Sequence, residues 1–110
     1  MKPDDYVFQT LSSSGLKGTK IGWPEGGAPS LPWFTYKRHK GGEVFADDTI
    51  HHRMRRYEAG LYQREIDDDE RDAFEEAILR IGPFTSDEVW IPGENCWVTK
   101  YSFTLHEPTE

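Results

Sequence analysis

Four histidines and one cysteine are the residues of this chain best suited to hold a metal ion, and their spacing does not gather them. His51 and His52 are adjacent, so on a strand they point to opposite faces and cannot easily share an ion. His39, Cys96 and His106 show no ligand spacing either. Ordinary surface histidines and no metal site are expected. The acidic run Glu65 to Glu70 has the charge to attract calcium, yet it lacks the Gly and the later bidentate Glu of a calcium loop; a helix cap accounts for it.

Asp47 and Asp48 could serve as a carboxylate pair in acid–base work, but adjacent acids near a Gly pair are better turn formers, and no pocket-forming partner is visible. Ser12-Ser13-Ser14-Gly15 reads as a helix end, not as a nucleophile on a strained turn. No Ser/His/Asp order, phosphate-binding loop or dinucleotide fingerprint occurs. An enzyme is not expected, and neither are catalytic residues or a cofactor. The aromatic residues carry more information. Trp23, Trp33, Trp90 and Trp97 are more than one small core readily hides. Half are expected inside and the rest at an interface, where aromatics are enriched.

The elements that must position these residues follow from pattern. Asp4 and Asp5 precede Val7, Phe8 and Leu11, which share one face of a short helix that Gly15 stops. Thr19 to Trp23 is expected as a brief edge strand. Pro24 to Pro32, rich in Pro and Gly, must be a loop. Trp33 to Tyr36 begins a strand that Gly41-Gly42 is expected to break, with a connection starting at Phe45-Ala46-Asp47-Asp48. From Ile50 to Arg64, Tyr57, Ala59 and Leu61 alternate with Arg56, Glu58 and Gly60, the mark of a long strand with one buried face. The wet face also carries Tyr62 and Arg64. Phe74, Ala77, Ile78 and Ile81 recur at helical spacing behind an aspartate cap and ahead of Gly82-Pro83. Phe84 to Ile91 and Trp97 to Leu105 form a hairpin about a Pro92-Gly93 turn of type II order. The class expected is α+β: a mainly antiparallel sheet of four to five strands with two helices packed on it. One domain spans 1–110, ordered over roughly 4–106, with a flexible end at 107–110.

At 110 residues the chain should bury roughly 65% of its unfolded surface, enough for one modest core. Its formal charge is −7, and its one dense basic patch, His51 to Arg56, is outweighed nearby by acid. Gripping a phosphate backbone needs clustered cations. An acidic subunit can instead sit beside DNA and repel it. A single Cys allows no intrachain disulfide, and Met1 to Asp5 lacks the apolar run of a signal peptide. No stretch approaches a membrane helix, so no membrane partner is expected and a cytoplasmic location is.

Taken in order, Leu31-Pro32-Trp33-Phe34-Thr35-Tyr36, Phe45-Ala46-Asp47-Asp48 and Tyr57-Glu58-Ala59-Gly60-Leu61-Tyr62 resemble a small protein family of long-tailed phages and prophages. An acid-capped helix and an aromatic hairpin, Trp90 to Phe103, complete the likeness, which runs from about Val7 to Leu105. The family is that of tail terminator or tail completion proteins, encoded among the head–tail joining genes. The resemblance implies an α+β subunit that forms a ring, commonly a hexamer, on the end of the tail tube. Its partners would be further copies of itself, the tail tube protein and the head connector or stopper. DNA would pass through the ring without sequence-specific binding. The protein would occupy the host cytoplasm during assembly and then the virion neck. Here Asp48 stands where the family has Asn, the strand partner of Leu61 is the small pair Ala59-Gly60, and the basic run is richer than usual. A head-side connector or stopper, or an acidic regulatory protein such as a DNA mimic, are the alternatives. Interface positions expected on strand edges and loops are Trp33, Phe45, Arg55, Arg56, Tyr62 and Trp90, with Asp47 and Asp48 shaping the turn.

Overall fold

Pro3 sits in the first helical turn, where its missing N–H leaves no gap, and Asp4 and Asp5 face the positive end of the helix dipole. They open α1 (Pro3–Ser12), whose Val7 and Leu11, one turn apart, are fully buried. Gly15, at φ 92, lets the chain leave the helix in a conformation other residues resist. The structure, a computed structural model, describes residues 2–23, 27–45 and 52–108. The expected Asp47-Asp48 turn lies outside them.

β1 (Lys17–Lys20) begins two residues before the expected Thr19. It ends where Ile21 adopts φ 69 and turns out of the sheet, leaving that side chain 74% exposed. β2 (Trp33–Phe45) and β3 (His52–Gln63) pair antiparallel. Gly41-Gly42 does not break β2 as expected. The strand runs through it with a shift of register between Arg38 and Glu43, because glycine accommodates the irregular backbone of a bulge.

α2 (Asp68–Leu79) forms where the sequence places it. The Asp67 carboxylate accepts the Glu70 N–H at 3.1 Å, and the buried Gln63 amide donates to the Glu70 side chain at 2.9 Å. The cap is thus tied to the end of β3. Phe74, Ala77 and Ile78 are buried, and Ile81 is buried just beyond the helix. β4 (Phe84–Ile91) and β5 (Cys96–Pro108) make the closing hairpin. Its turn departs from type II. The Ile91 carbonyl accepts from the Glu94 N–H at 3.2 Å, and Asn95 (φ 51), not Gly93, takes the left-handed conformation. Four residues instead of two therefore bridge the strands, a loop built about a type I turn.

The strands form one sheet in the order β1-β2-β3-β5-β4, with β1 parallel to β2 and every other pairing antiparallel. Partners in register share a face. Phe34, Leu61 and Thr99 align across the sheet, as do Tyr36, Ala59 and Tyr101, and both rows are buried. The helices cover this face. Phe74 of α2 lies between Phe34 and Tyr101, with ring centroids 5.3 and 5.5 Å away. Full burial of such a ring contributes about 2–3 kcal/mol. The fold is therefore α+β, a mostly antiparallel five-stranded sheet with two helices on one side.

No tryptophan joins this core. Its fully buried aromatics are Tyr57, Tyr101, Phe34 and Phe74. Trp23, Trp33 and Trp97 are half-buried and Trp90 is 41% exposed. The expectation that half of the tryptophans would lie inside is corrected: all four reach the surface.

Candidate interaction surface

Among the described residues, no helix packs on the face of the sheet opposite α1 and α2. Register places on it Trp33, Thr35 and Lys37 of β2, then Glu58, Gly60 and Tyr62 of β3. Val98, Lys100 and Ser102 of β5 continue the rows, and Thr85 and Asp87 of β4 end them. All of these but Trp33 line a shallow groove of about 540 Å³, bounded by Ile21 on the β1 side. Gly60 makes its floor: a Cβ there would lie 3.1 Å from the Tyr62 ring and 3.3 Å from Val98. Glycine in the centre of a strand marks close approach by a neighbour, here the ring that folds over it.

Beside the groove, beyond Tyr62, the face is aromatic. Trp33 stacks on Tyr62 with centroids 4.3 Å apart and planes 26° from parallel, and Trp23 meets Trp33 edge-on at 6.0 Å. Such arrangements suit the ring quadrupoles and hold the side chains rigid before any partner arrives. The Trp23 indole N–H is shielded from solvent and has no hydrogen-bond partner among the described residues. Burial pushes the Tyr62 phenol above its usual range, and a hydrogen bond with Thr35 opposes that, so the ring stays neutral at physiological pH.

The groove itself is polar and balanced in charge. Lys37 lies 3.6 Å from Glu58, His39 approaches the same carboxylate at 3.6 Å, and Asp87 stands in register with Lys100. Among the described residues, no three His, Cys, Asp or Glu side chains converge as metal ligands. Cys96 is buried, and that burial, with Glu94 nearby, raises its thiol pKa and keeps it protonated. What the face offers chemically is recognition: flat aromatic area at one end and paired charges along the floor.

Of the positions expected at an interface, the structure brings Trp33 and Tyr62 together here. Trp90 lies on the other face, packed against Trp97 at the β4 edge of the sheet. Arg56 is exposed on β3, whereas Arg55 is only 8% exposed and points to the helix side, in register with Leu105. Phe45 ends β2, and Asp47 and Asp48 lie outside the described residues. The reading of those interface positions left out Trp23, Ile21 and the Lys37–Glu58 floor. Strand alternation could have assigned Lys37 and Glu58 to the face of Trp33 and Tyr62. No local signal announces that Trp23 folds back onto Trp33 across the loop.

No helix among the described residues is long and apolar enough to cross a membrane. The chain matches no protein-family model and no curated protein.

Proposed function

We propose that this chain is a structural subunit that assembles with copies of itself into a ring, the tail terminator that caps the tail tube of a long-tailed phage and docks it to the head connector. The observation that carries this reading is the sheet face opposite the helices, with Trp23, Trp33 and Tyr62 stacked on it while the core is completed without any tryptophan. Aromatic side chains held rigid at a surface bury large area at small entropic cost when a partner covers them. The resemblance of its sequence motifs, in their order, to those of tail terminators is the reason for choosing this assembly. The net charge of −7 suits a channel through which DNA moves without adhering, since like charges repel. A ring also needs only one kind of contact, made head to tail and closing on itself.

Native mass measurement and electron microscopy of the purified protein over a range of concentrations test the reading, with and without tail tubes. The expected result is a closed cyclic oligomer, alone or on tube ends. A chain that stays monomeric at every concentration and ignores tubes overturns it.

A further inference from the structure

We infer that the two outer edges of the sheet are the two halves of the self-contact: β1 of one copy pairs antiparallel with β4 of the next. The inference rests on the ring reading and adds to it the surface that joins the copies. β1 and β4 are the first and last strands of the sheet, so among the described residues each has one side with no strand beside it. Unpaired strand edges are templates for another chain, and proteins commonly blunt them with charge. Here the charges differ in sign. β1 reads Lys-Gly-Thr-Lys, and β4 carries Asp87-Glu88 at its centre. Pairing β1 with β1, or β4 with β4, sets like charges against each other. Pairing β1 with β4 sets opposite charges together. Symmetric dimers are thereby disfavoured and a head-to-tail contact is favoured.

Direction agrees. β1 and β2 are parallel and the three remaining pairings are antiparallel, so β4 runs opposite to β1. Continuing the sheet into a second copy therefore makes an antiparallel joint, the slightly stronger kind per residue. Faces agree as well. Lys17 is in register with Trp33, and Asp87 with Lys100, which puts both on the open face. Lys20 and Glu88 lie on the helix side and already hold Asp4 and Arg71. Lys17 and Asp87 are exposed and enter none of the ion pairs of the described residues. A register that opposes Lys17 to Asp87 also opposes Thr19 to Thr85, a favourable cross-strand pair.

The test uses Lys17→Glu, Asp87→Lys and the double variant, with sedimentation velocity of the full chain. Each single variant is expected to weaken self-association about tenfold or more, because its joint now sets like charges together. The double variant should assemble again, and so should an equimolar mixture of the two single variants, whose copies alternate. That mixture also separates a broken joint from a broken fold. In a second measurement, a Thr19→Cys/Thr85→Cys variant is oxidised. Its two cysteines sit four strand spacings apart within one chain, about 19 Å, so every disulfide between them must join copies. A covalent ladder ending at the ring mass supports the joint. Wild-type rings that persist in both single variants and give no ladder overturn the edge pairing and leave the ring reading standing. So does a symmetric dimer indifferent to these charges. A wild-type chain that never associates removes the ring reading itself, and the joint with it.

Discussion

The Tyr57 hydroxyl donates to Asp4 Oδ1 at 2.6 Å and ties the middle of β3 to the first turn of α1. Arg38 Nε reaches the same oxygen at 2.8 Å, and Lys20 Nζ reaches the other at 2.5 Å. One carboxylate thus gathers a helix and three strands. Partial burial alone would raise its pKa, but the hydrogen bonds from Lys20, Tyr57 and Arg38 outweigh it and hold Asp4 well below the usual carboxylate range. Tyr57 is pushed the other way, by burial first and by the neighbouring carboxylate second, and stays protonated.

A depressed pKa in the folded state means that Asp4 stabilises the fold above its unfolded pKa of about 3.9 and loses that contribution as pH falls toward the folded value. Stability should therefore decline below about pH 4 in the wild type. Asp4→Asn is expected to cost about 2 kcal/mol at pH 7, since three donors lose an ionised acceptor. Its stability should also depend less on pH in the acid range. Urea unfolding at pH 7 and pH 3 measures both; equal acid sensitivity in the two proteins would remove Asp4 from this role.

Gly18 is required by a neighbour. A Cβ at this position would lie 2.1 Å from the ring of Phe34, which is fully buried beneath the helices. The ring cannot shift without displacing Phe74, so Gly18→Ala should destabilise by about 3 kcal/mol despite the general preference for alanine over glycine. Thermal unfolding with Gly22→Ala as control checks this, because open space surrounds Gly22. Similar melting points for the two variants would contradict it.

Legibility followed the range of the forces involved. The period of Phe74, Ala77 and Ile78 and the alternation of Tyr57, Ala59 and Leu61 report burial directly, and those elements lie where pattern puts them. Gly41-Gly42 misleads because glycine is compatible with both a break and a bulge, and only pairing with β3 selects between them. Pro92-Gly93 misleads for a similar reason: Asn95 tolerates a positive φ and takes it, so the glycine need not. The face opposite the helices was half legible. Trp33 and Tyr62 could be assigned to an exposed side, but their stacking depends on the register between β2 and β3, which no local pattern contains.

The cap of α2 joins local and tertiary structure. Asp67→Ala removes the acceptor for the Glu70 N–H and should cost about 1 kcal/mol. Glu70→Ala instead removes one of the two acceptors of the Gln63 amide, which is 1% exposed and keeps the Asp67 carbonyl at 3.2 Å, and should cost about 1 kcal/mol although Glu70 is not the cap residue. Chemical denaturation of both variants ranks them. A negligible effect of Glu70→Ala would show that the Asp67 carbonyl alone satisfies the buried amide.

Trp33 offers a separation of fold from assembly. Its ring stacks on Tyr62 at the surface and takes no place in the buried cluster, so Trp33→Ala should leave the monomer folded at a cost of about 1 kcal/mol, the contribution of a half-buried aromatic pair. If the face opposite the helices meets a neighbour, the same change removes a rigid anchor from a buried contact, where truncation costs about 2 kcal/mol or more and weakens association roughly thirtyfold. Melting temperature and sedimentation of one sample distinguish the effects. A melting temperature lowered well beyond that cost would assign Trp33 to the fold; an unchanged ring with an unchanged fold would assign the contact to the sheet edges alone.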